Sequence, residues 1–268
     1  MNTIIATYKR NYRSMKQAVP ISSILGNILS GLYMVIFSYL IFKFMFGGKL
    51  DESFYEYTQS YDYITYIILG NSVYVLAVSL LMIVSRSLVS ELRQGSLEAI
   101  LLTPSNRINY FLGCFLHGLF IVLIEFVGIL LGGLFFGLDL SNINIFGLII
   151  VLVLILFSFF SQAILLGAIM VWFRETYIIQ NTLFVSMAFL SGVSFPIEYL
   201  PYPIQIISNI LPLTHSLNAF RDVVIHGHSI SSSISNLGSL LIIGFLYLSL
   251  GMLLLKKVEN KIIELIGE

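Results

Sequence analysis

The sequence is dominated by six blocks of apolar residues, each long enough to cross a lipid bilayer as a helix. A helix rises 1.5 Å per residue, so about 20 apolar residues cross the roughly 30 Å of hydrocarbon. Hydrophobic residues make up 57% of the chain and charged residues only 10%, which excludes an ordinary soluble globule. We predict an all-α, polytopic membrane protein with one transmembrane domain over residues 1–268. The predicted spans are Ile21–Phe46, Tyr63–Ser85, Ile108–Phe136, Ile145–Trp172, Tyr177–Phe195 and Leu237–Leu255.

Residues 1–20 have the pattern of an amphipathic helix that lies in the membrane interface. Apolar residues such as Ile4, Tyr8 and Tyr12 recur every three or four positions, and basic residues occupy the other side of the helical wheel. Such a helix places its cations toward anionic lipid headgroups, and Pro20 marks a bend into the first span. The alternative interpretation is a merely basic tail.

Most positive charges fall on one side of the predicted topology. Lys and Arg near the ends of spans mark the cytoplasmic side, and the other side holds Lys49 and Arg221, with Lys43 near the outer end of the first span. Both termini are therefore expected in the cytoplasm. We expect a multi-pass protein of the plasma membrane in a prokaryotic cell. The formal net charge is zero, so no basic surface indicates nucleic acid. The basic residues on the predicted cytoplasmic side are Lys9, Arg10, Arg13, Lys16, Arg86, Arg93, Arg107, Arg174, Lys256, Lys257 and Lys261.

The polar stretch over residues 86–105 has the signals of a short kinked helix on the cytoplasmic face. Gly95 can end one helical segment, Ser96 can cap the next, and Glu98 falls where the helix dipole favours an anion. A rigid protruding element joined to mobile spans can carry force from a soluble motor into a membrane domain. The alternative is a connector with ordinary caps. The candidate coupling residues are Glu91, Arg93, Gly95, Ser96, Leu97 and Glu98.

The same stretch resembles the second intracellular connection of the ABC-2 type permease family. That connection carries an acid, then Gly, Ser or Thr, an apolar residue and a second acid, followed by Leu-x-x-Thr-Pro. The resemblance implies a coupling helix that docks in a cleft of a separate ATPase subunit. The matching residues are Glu91, Gly95, Ser96, Leu97, Glu98, Leu101, Thr103 and Pro104.

Residues 191–222, before the last span, form a second unusual region. Four prolines forbid a continuous helix here, and the apolar piece Ile204–Leu211 is too short to span. We predict a re-entrant hairpin in the outer leaflet, because irregular backbone at that depth must be covered by protein or line a water-filled cavity. The order of Ser-Gly, aromatic-Pro, Leu-Pro, Leu-Pro-Leu-Thr and then Arg221 also resembles the ABC-2 signature. The prolines are Pro196, Pro201, Pro203 and Pro212.

The predicted hairpin has two interpretations. It is either an outer gate that prevents leakage and releases substrate, or a wedge that only packs helix ends. Arg221 and Asp222 are interpreted as a solvated outer pair. The candidate gate residues are Phe195, Pro196, Tyr199 and Leu200.

Glu125 lies in the middle of the third predicted span, where a carboxylate costs about 2.5–3.5 kcal/mol on insertion scales. It is expected to face the bundle or to be protonated. Two interpretations remain open: contact with a substrate or proton, or an interhelical hydrogen bond to a Ser, Asn or Tyr. His117, two turns earlier, is either a partner of Glu125 or a packing histidine.

No Gly-x-x-x-x-Gly-Lys-Ser/Thr phosphate loop occurs, so the chain cannot hydrolyse ATP by that route. No catalytic residue, cofactor or metal site is predicted in this chain. The resemblance implies an exporter with two cytoplasmic ATPase subunits, which bind ATP and Mg²⁺, and two permease chains, identical or homologous. Its cargo would be an amphipathic or hydrophobic drug, peptide, lipid or glycan. The alternatives are an ATP-independent carrier or channel, and a non-transporting immunity or sensor protein.

Overall fold

The computed structural model describes residues 3–18, 21–45, 47–48, 50, 52–96, 106–228 and 233–267. Helices account for 83% of the structure, and no strand occurs in these ranges. The prediction of an all-α protein is therefore confirmed. The helices are α1 (Thr3–Ala18), α2 (Ile21–Met45), α3 (Glu52–Thr58), α4 (Tyr63–Arg93), α5 (Arg107–Leu134), α6 (Ile145–Phe173), α7 (Tyr177–Leu190), α8 (Tyr202–Ser208), α9 (Pro212–Val224) and α10 (Ile234–Gly267), with a 3₁₀ turn at Ile197–Tyr199.

Helix α4 is the centre of the bundle. It begins after Asp62, whose carboxylate accepts hydrogen bonds from the backbone N–H groups of Ile64 and Thr65, both at 3.0 Å. These bonds satisfy two of the free donors at the start of a helix. In the apolar window of α4, 78% of the residues are buried, and α2, α5, α6, α7 and α9 all pack against it. Because interiors are close-packed, a displacement of α4 must change its contacts with these five helices.

Among the residues that the structure describes, five helices are long and apolar enough to cross a membrane: α2, α4, α5, α6 and α10. Helices α2 and α10 bury only 11% and 22% of their apolar windows, which leaves surface for lipid or another membrane chain. The fifth predicted span, Tyr177–Phe195, corresponds to α7, which has 14 residues. At 1.5 Å per residue it is about 21 Å long, less than the roughly 30 Å of hydrocarbon. The prediction of six spans is thus confirmed for five of them in length and composition.

Helix α7 nevertheless connects the two ends of the bundle. At its start, the hydroxyl of Thr176 accepts a hydrogen bond from Arg93, at the end of α4 (3.3 Å). Beyond its end, the carbonyl of Gly192 accepts one from the hydroxyl of Tyr66, near the start of α4 (3.2 Å). Helix α7 therefore runs antiparallel to α4. We call the end with Arg93 the basic end and the end with Tyr66 the opposite end.

The first and last helices both reach the basic end. Helix α1 packs against α5, and its Arg10 forms an ion pair with Glu91 near the end of α4. In α10, Glu259 accepts a hydrogen bond from Arg107 at the start of α5 (2.7 Å). The amphipathic pattern predicted a helix at the N-terminus, and α1 confirms that helix.

The chain between α7 and α10 is more helical than its prolines indicated. Gly192 adopts a φ of +80°, which favours glycine, and the 3₁₀ turn, α8 and α9 follow. Pro212 lies in the first turn of α9, where its missing N–H is not needed, so it begins the helix rather than preventing it. Helix α9 buries residues such as Leu213 and Phe220, and it packs against α4, α6 and α10. The region predicted as a hairpin thus contains a buried 13-residue helix.

Candidate coupling site

Glu91, near the end of α4, connects three separate elements at the basic end. It is 5% exposed, and its carboxylate forms an ion pair with Arg10 of α1. It also accepts hydrogen bonds from the hydroxyls of Tyr110 in α5 (3.2 Å) and of Ser96, which follows α4. A buried carboxylate needs such partners, because an unpaired buried charge is strongly unfavourable. We call these four residues the Glu91 cluster.

Arg10, the cation of the Glu91 cluster, remains charged and is half-exposed to water. Burial alone would lower the pKa of Arg10, but the Glu91 carboxylate and Tyr110 outweigh it and raise that pKa above its ordinary value. The guanidinium lies over the Tyr110 ring, 5.7 Å from its centre. Because the Arg10 side chain is 46% exposed, it can exchange its contact with Glu91 for water.

The backbone turns sharply where α4 ends. The helix stops at Arg93, and Gly95 adopts a φ of +70°, as predicted for a residue that terminates a helix. The N–H of Ser96 donates to the carbonyl of Glu91 (3.1 Å), and its hydroxyl faces the Glu91 carboxylate. The predicted coupling residues outside the described part of the chain are Leu97 and Glu98.

A second set of contacts at the basic end ties α4 to α7. Arg86 donates to the side-chain carbonyl of Gln180 (2.7 Å), and Arg93 donates to the hydroxyl of Thr176 (3.3 Å). Both guanidinium groups lie over the ring of Tyr177, at 5.9 and 5.8 Å from its centre. Among the predicted coupling residues, Arg93 therefore faces α7 and does not join the Glu91 cluster.

The predicted gate residues lie at the opposite end, around the 3₁₀ turn. The ring of Tyr199 meets that of Tyr57 in α3 edge-on, with 5.7 Å between centres. Pro196 is buried and precedes the 3₁₀ turn, while Phe195 and Leu200 are half-buried. These positions place the turn against α3, and their role as a gate stays a prediction.

The interpretation of Arg221 and Asp222 as a solvated pair is wrong. The Arg221 side chain is buried, and its guanidinium donates to the backbone carbonyls of Gly192 (2.9 Å), Val193 (2.9 Å) and Tyr66 (3.1 Å). It also lies 3.4 Å from the centre of the Tyr66 ring. We call Arg221 with these three carbonyls the Arg221 clamp. It joins α9 to the turn after α7 and to the start of α4.

Two features of the sequence could have indicated the Arg221 clamp. Arg221 follows Ala219 and Phe220 and precedes Val223, so it lies in an apolar helical stretch rather than in a polar loop. Gly70 is the second feature, because a Cβ there would lie 2.1 Å from the carbonyl oxygen of Val193. Only a glycine allows the turn to approach α4 this closely.

Glu125 lies between α2, α4 and α5, and it is 1% exposed. Its carboxylate accepts hydrogen bonds from Asn27 of α2 (2.7 Å) and Ser79 of α4 (2.5 Å). These are the interhelical bonds that the packing interpretation expected. His117 does not join them: its ring lies edge-on to Tyr8, with 6.2 Å between centres. Glu125 also makes no hydrogen bond with the described residues of the predicted gate.

Comparison with known proteins places the chain in a family. A family model described as ABC-2 family transporter protein matches residues 49–253, which is more than half of the chain. Nodulation protein J of Sinorhizobium fredii is 35% identical over 100 residues. The aligned part is 36% of this chain and 37% of that relative, so the match covers little more than a third of each protein. Permeases of this kind are membrane transport components without an ATPase of their own. The chain belongs to the ABC-2 transporter family.

Proposed function

We propose that this chain is the membrane-spanning permease subunit of an ATP-driven exporter whose ATPase is a separate polypeptide. The Glu91 cluster carries the proposal, because it joins the segment after α4 to α1 and α5 through side chains. The Glu91 cluster lies at the end of α4, the helix that packs against most of the bundle. A push on that segment reaches α1 and α5 directly, and reaches α2, α6, α7 and α9 through α4.

In this proposal two ATPase subunits bind ATP and Mg²⁺ and press on the coupling segment over residues 86–105 as they close. Leu97 and Glu98, which follow Ser96 in the sequence, also take part in docking on the ATPase in this proposal. Two permease chains, identical or homologous, stand side by side. The apolar surface that α2 and α10 leave uncovered supports such an assembly within the bilayer.

The proposed topology has six crossings with both termini in the cytoplasm. Its support is that α7 carries the chain from the basic end to the opposite end, although the helix alone is short. Helices α1 and α10 then both end on the basic side, together with Arg93 and Arg107. Excess Lys and Arg mark a cytoplasmic face, so the basic end faces the ATPase.

The proposed cargo is an amphipathic or hydrophobic molecule that leaves at the opposite end. Aromatic side chains support this, since Tyr57 and Tyr199 meet there and Phe195 lies half-buried beside the 3₁₀ turn. Helix α8, with seven residues, would lie in the outer leaflet as part of the exit. The substrate class within drugs, peptides, lipids and glycans stays open.

The central test measures whether ATP at the basic end moves the opposite end. The tagged full chain is purified from its own cells, the ATPase that copurifies is identified by mass spectrometry, and the complex is reconstituted. Tyr199→Cys then reports the outer end through its rate of reaction with an impermeant maleimide. The native Cys114 is buried, which keeps the background low. We expect ATP to change the labelling rate several-fold.

Variants of the coupling segment give this test its control. Leu97→Pro and Glu91→Gln should abolish the ATP-dependent change while the ATPase still hydrolyses ATP. Glu259→Gln removes a second ion pair of the described residues at the basic end and should leave the response intact, because Glu259 lies in α10, outside the coupling segment. An intact response in Leu97→Pro would defeat the coupling assignment, and the absence of any copurifying ATPase would defeat the proposal.

The orientation has its own test in intact cells. Tyr199→Cys should react with an impermeant thiol reagent added outside, whereas Arg93→Cys should react only after the membrane is opened. The reverse pattern would overturn the assignment of the basic end to the cytoplasm.

A further inference from the structure

A cavity of about 630 Å³ opens at the basic end, beside the Glu91 cluster. Its walls come from α1, α4 and α5, and its volume lies within the range of about 300–1,000 Å³ typical of small-molecule sites. Arg10 and Asn11 supply the wall from α1, while Tyr110 and His117 supply part of the wall from α5.

The cavity lining changes from polar to apolar along α4. Gln94 and Ser90 line its outer part, Arg86 follows one turn further in, and Ile83 and Met82 line the part beyond. A lining graded in this direction matches a molecule with a polar head toward the aqueous end and an apolar tail toward the bundle.

The charges of the lining favour an anionic head. Arg10 is already paired with Glu91, whereas the side-chain hydrogen bond of Arg86 goes to the neutral amide of Gln180. No carboxylate of the described residues forms an ion pair with Arg86. His117 adds a ring nitrogen, Nε2, that is buried without a hydrogen-bond partner in the described part of the chain. A buried polar atom of this kind indicates a missing partner.

We propose that this cavity binds one anionic amphiphile from the membrane leaflet at the basic end. Its headgroup pairs with the Arg86 guanidinium and reaches toward His117, and its tail lies along Ile83. Arginine suits this contact because its planar donors match the oxygens of a phosphate or carboxylate. Binding requires the permease chain alone, so it is separable from ATPase coupling and from transport.

The test compares two lipids that differ only in the headgroup. Purified full-length chain in a neutral detergent is titrated with dioctanoyl phosphatidylglycerol, which is anionic, and with dioctanoyl phosphatidylcholine, which has no net charge. Native mass spectrometry or calorimetry gives both dissociation constants. We expect phosphatidylglycerol to bind at least about fivefold more tightly, which corresponds to about 1 kcal/mol.

Matched variants locate the site. Arg86→Gln should reduce the preference for phosphatidylglycerol to less than about twofold, and Arg86→Lys should keep most of it. Arg93→Gln is the control, since Arg93 stacks on the same Tyr177 ring but does not line the cavity. It should keep the full preference.

A second variant keeps the test decisive if Arg86→Gln fails to fold. Ser90 is exposed and lines the cavity, so Ser90→Glu can place a negative charge there without disturbing the core. It should weaken phosphatidylglycerol binding at least about fivefold and leave phosphatidylcholine binding unchanged. Equal affinity of the wild-type chain for the two lipids would overturn the proposal. A preference that persists in Arg86→Gln, or in Ser90→Glu where Arg86→Gln does not fold, would overturn it too.

Discussion

Among the described residues, a buried charged side chain lies at each end of α4, and the two are bound in different ways. At the basic end, the Glu91 carboxylate is bound by side chains from α1 and α5 and by Ser96. At the opposite end, the Arg221 guanidinium is bound by three backbone carbonyls. The first arrangement joins elements through movable side chains, whereas the second fixes the course of the main chain.

This difference indicates which contacts can exchange when the bundle moves. Arg10 is half-exposed, so its ion pair with Glu91 can open and water can take the place of the carboxylate, while Tyr110 and Ser96 still bind Glu91. Arg221 is fully enclosed, and its carbonyl partners cannot leave without unfolding the turn at Gly192. We infer that the Arg221 clamp holds α9, the turn after α7 and the start of α4 together as one unit, which we call the rigid anchor, and that the Glu91 cluster is an exchangeable joint.

The largest effect is expected from Arg221→Gln, which tests the rigid anchor. The shorter side chain cannot reach all three carbonyls, and each unsatisfied buried group costs about 1–3 kcal/mol. The free energy of unfolding should fall by about 3 kcal/mol or more, which lowers the melting temperature in detergent by roughly 6–12 °C. Arg174→Gln, at an exposed arginine, is the control and should change the melting temperature little. Equal shifts in the two variants would show that the clamp does not anchor the fold.

A smaller effect is expected from Glu91→Gln, which tests the exchangeable joint. The neutral side chain loses the ion pair, but Arg10 can be hydrated, so the free energy of unfolding should fall by only about 1–2 kcal/mol. The corresponding drop in melting temperature is about 2–8 °C. The double variant Arg10→Gln with Glu91→Gln should lose less free energy of unfolding than the sum of the two single losses, because each single variant already removes the same ion pair. Strictly additive losses would show that the two residues do not interact.

The joint could be predicted from sequence because its signals are local. An acid followed four residues later by Gly-Ser marks the end of α4 whatever packs around it, and Gly95 does adopt the left-handed conformation. What the sequence did not reveal is that Arg10 and Tyr110, from α1 and α5, complete the site around Glu91. Those contacts depend on the packing of three helices.

The anchor escaped prediction because its contacts are distant in the chain. Arg221 donates to a carbonyl 155 residues away, at Tyr66, and to two in the turn after α7. That turn also explains the short α7: the apolar run continues to Phe195, but the turn at Gly192, held by the clamp, follows a helix that ends at Leu190. Pro212 was interpreted as a helix breaker, although proline is well tolerated in a first turn.

The smallest effect is expected from acid, and it should separate the two ends. Burial lowers the pKa of His226 at the opposite end, the nearby His228 ring lowers it further, and Asp222 and the Thr58 carbonyl offset this only in part. At the basic end, by contrast, the pKa of Arg10 is raised, so that cation does not titrate near neutral pH.

The sign of the pH effect follows from the lowered pKa of His226. Because the folded chain binds fewer protons here than the unfolded chain, stability is lost as the pH falls through the ordinary pKa of histidine, about 6.5. Between pH 7.5 and 5.5 the melting temperature of the wild-type chain should fall further than that of His226→Gln. Identical pH profiles of the two proteins would remove His226 as the source, and the acid sensitivity would then not belong to the opposite end.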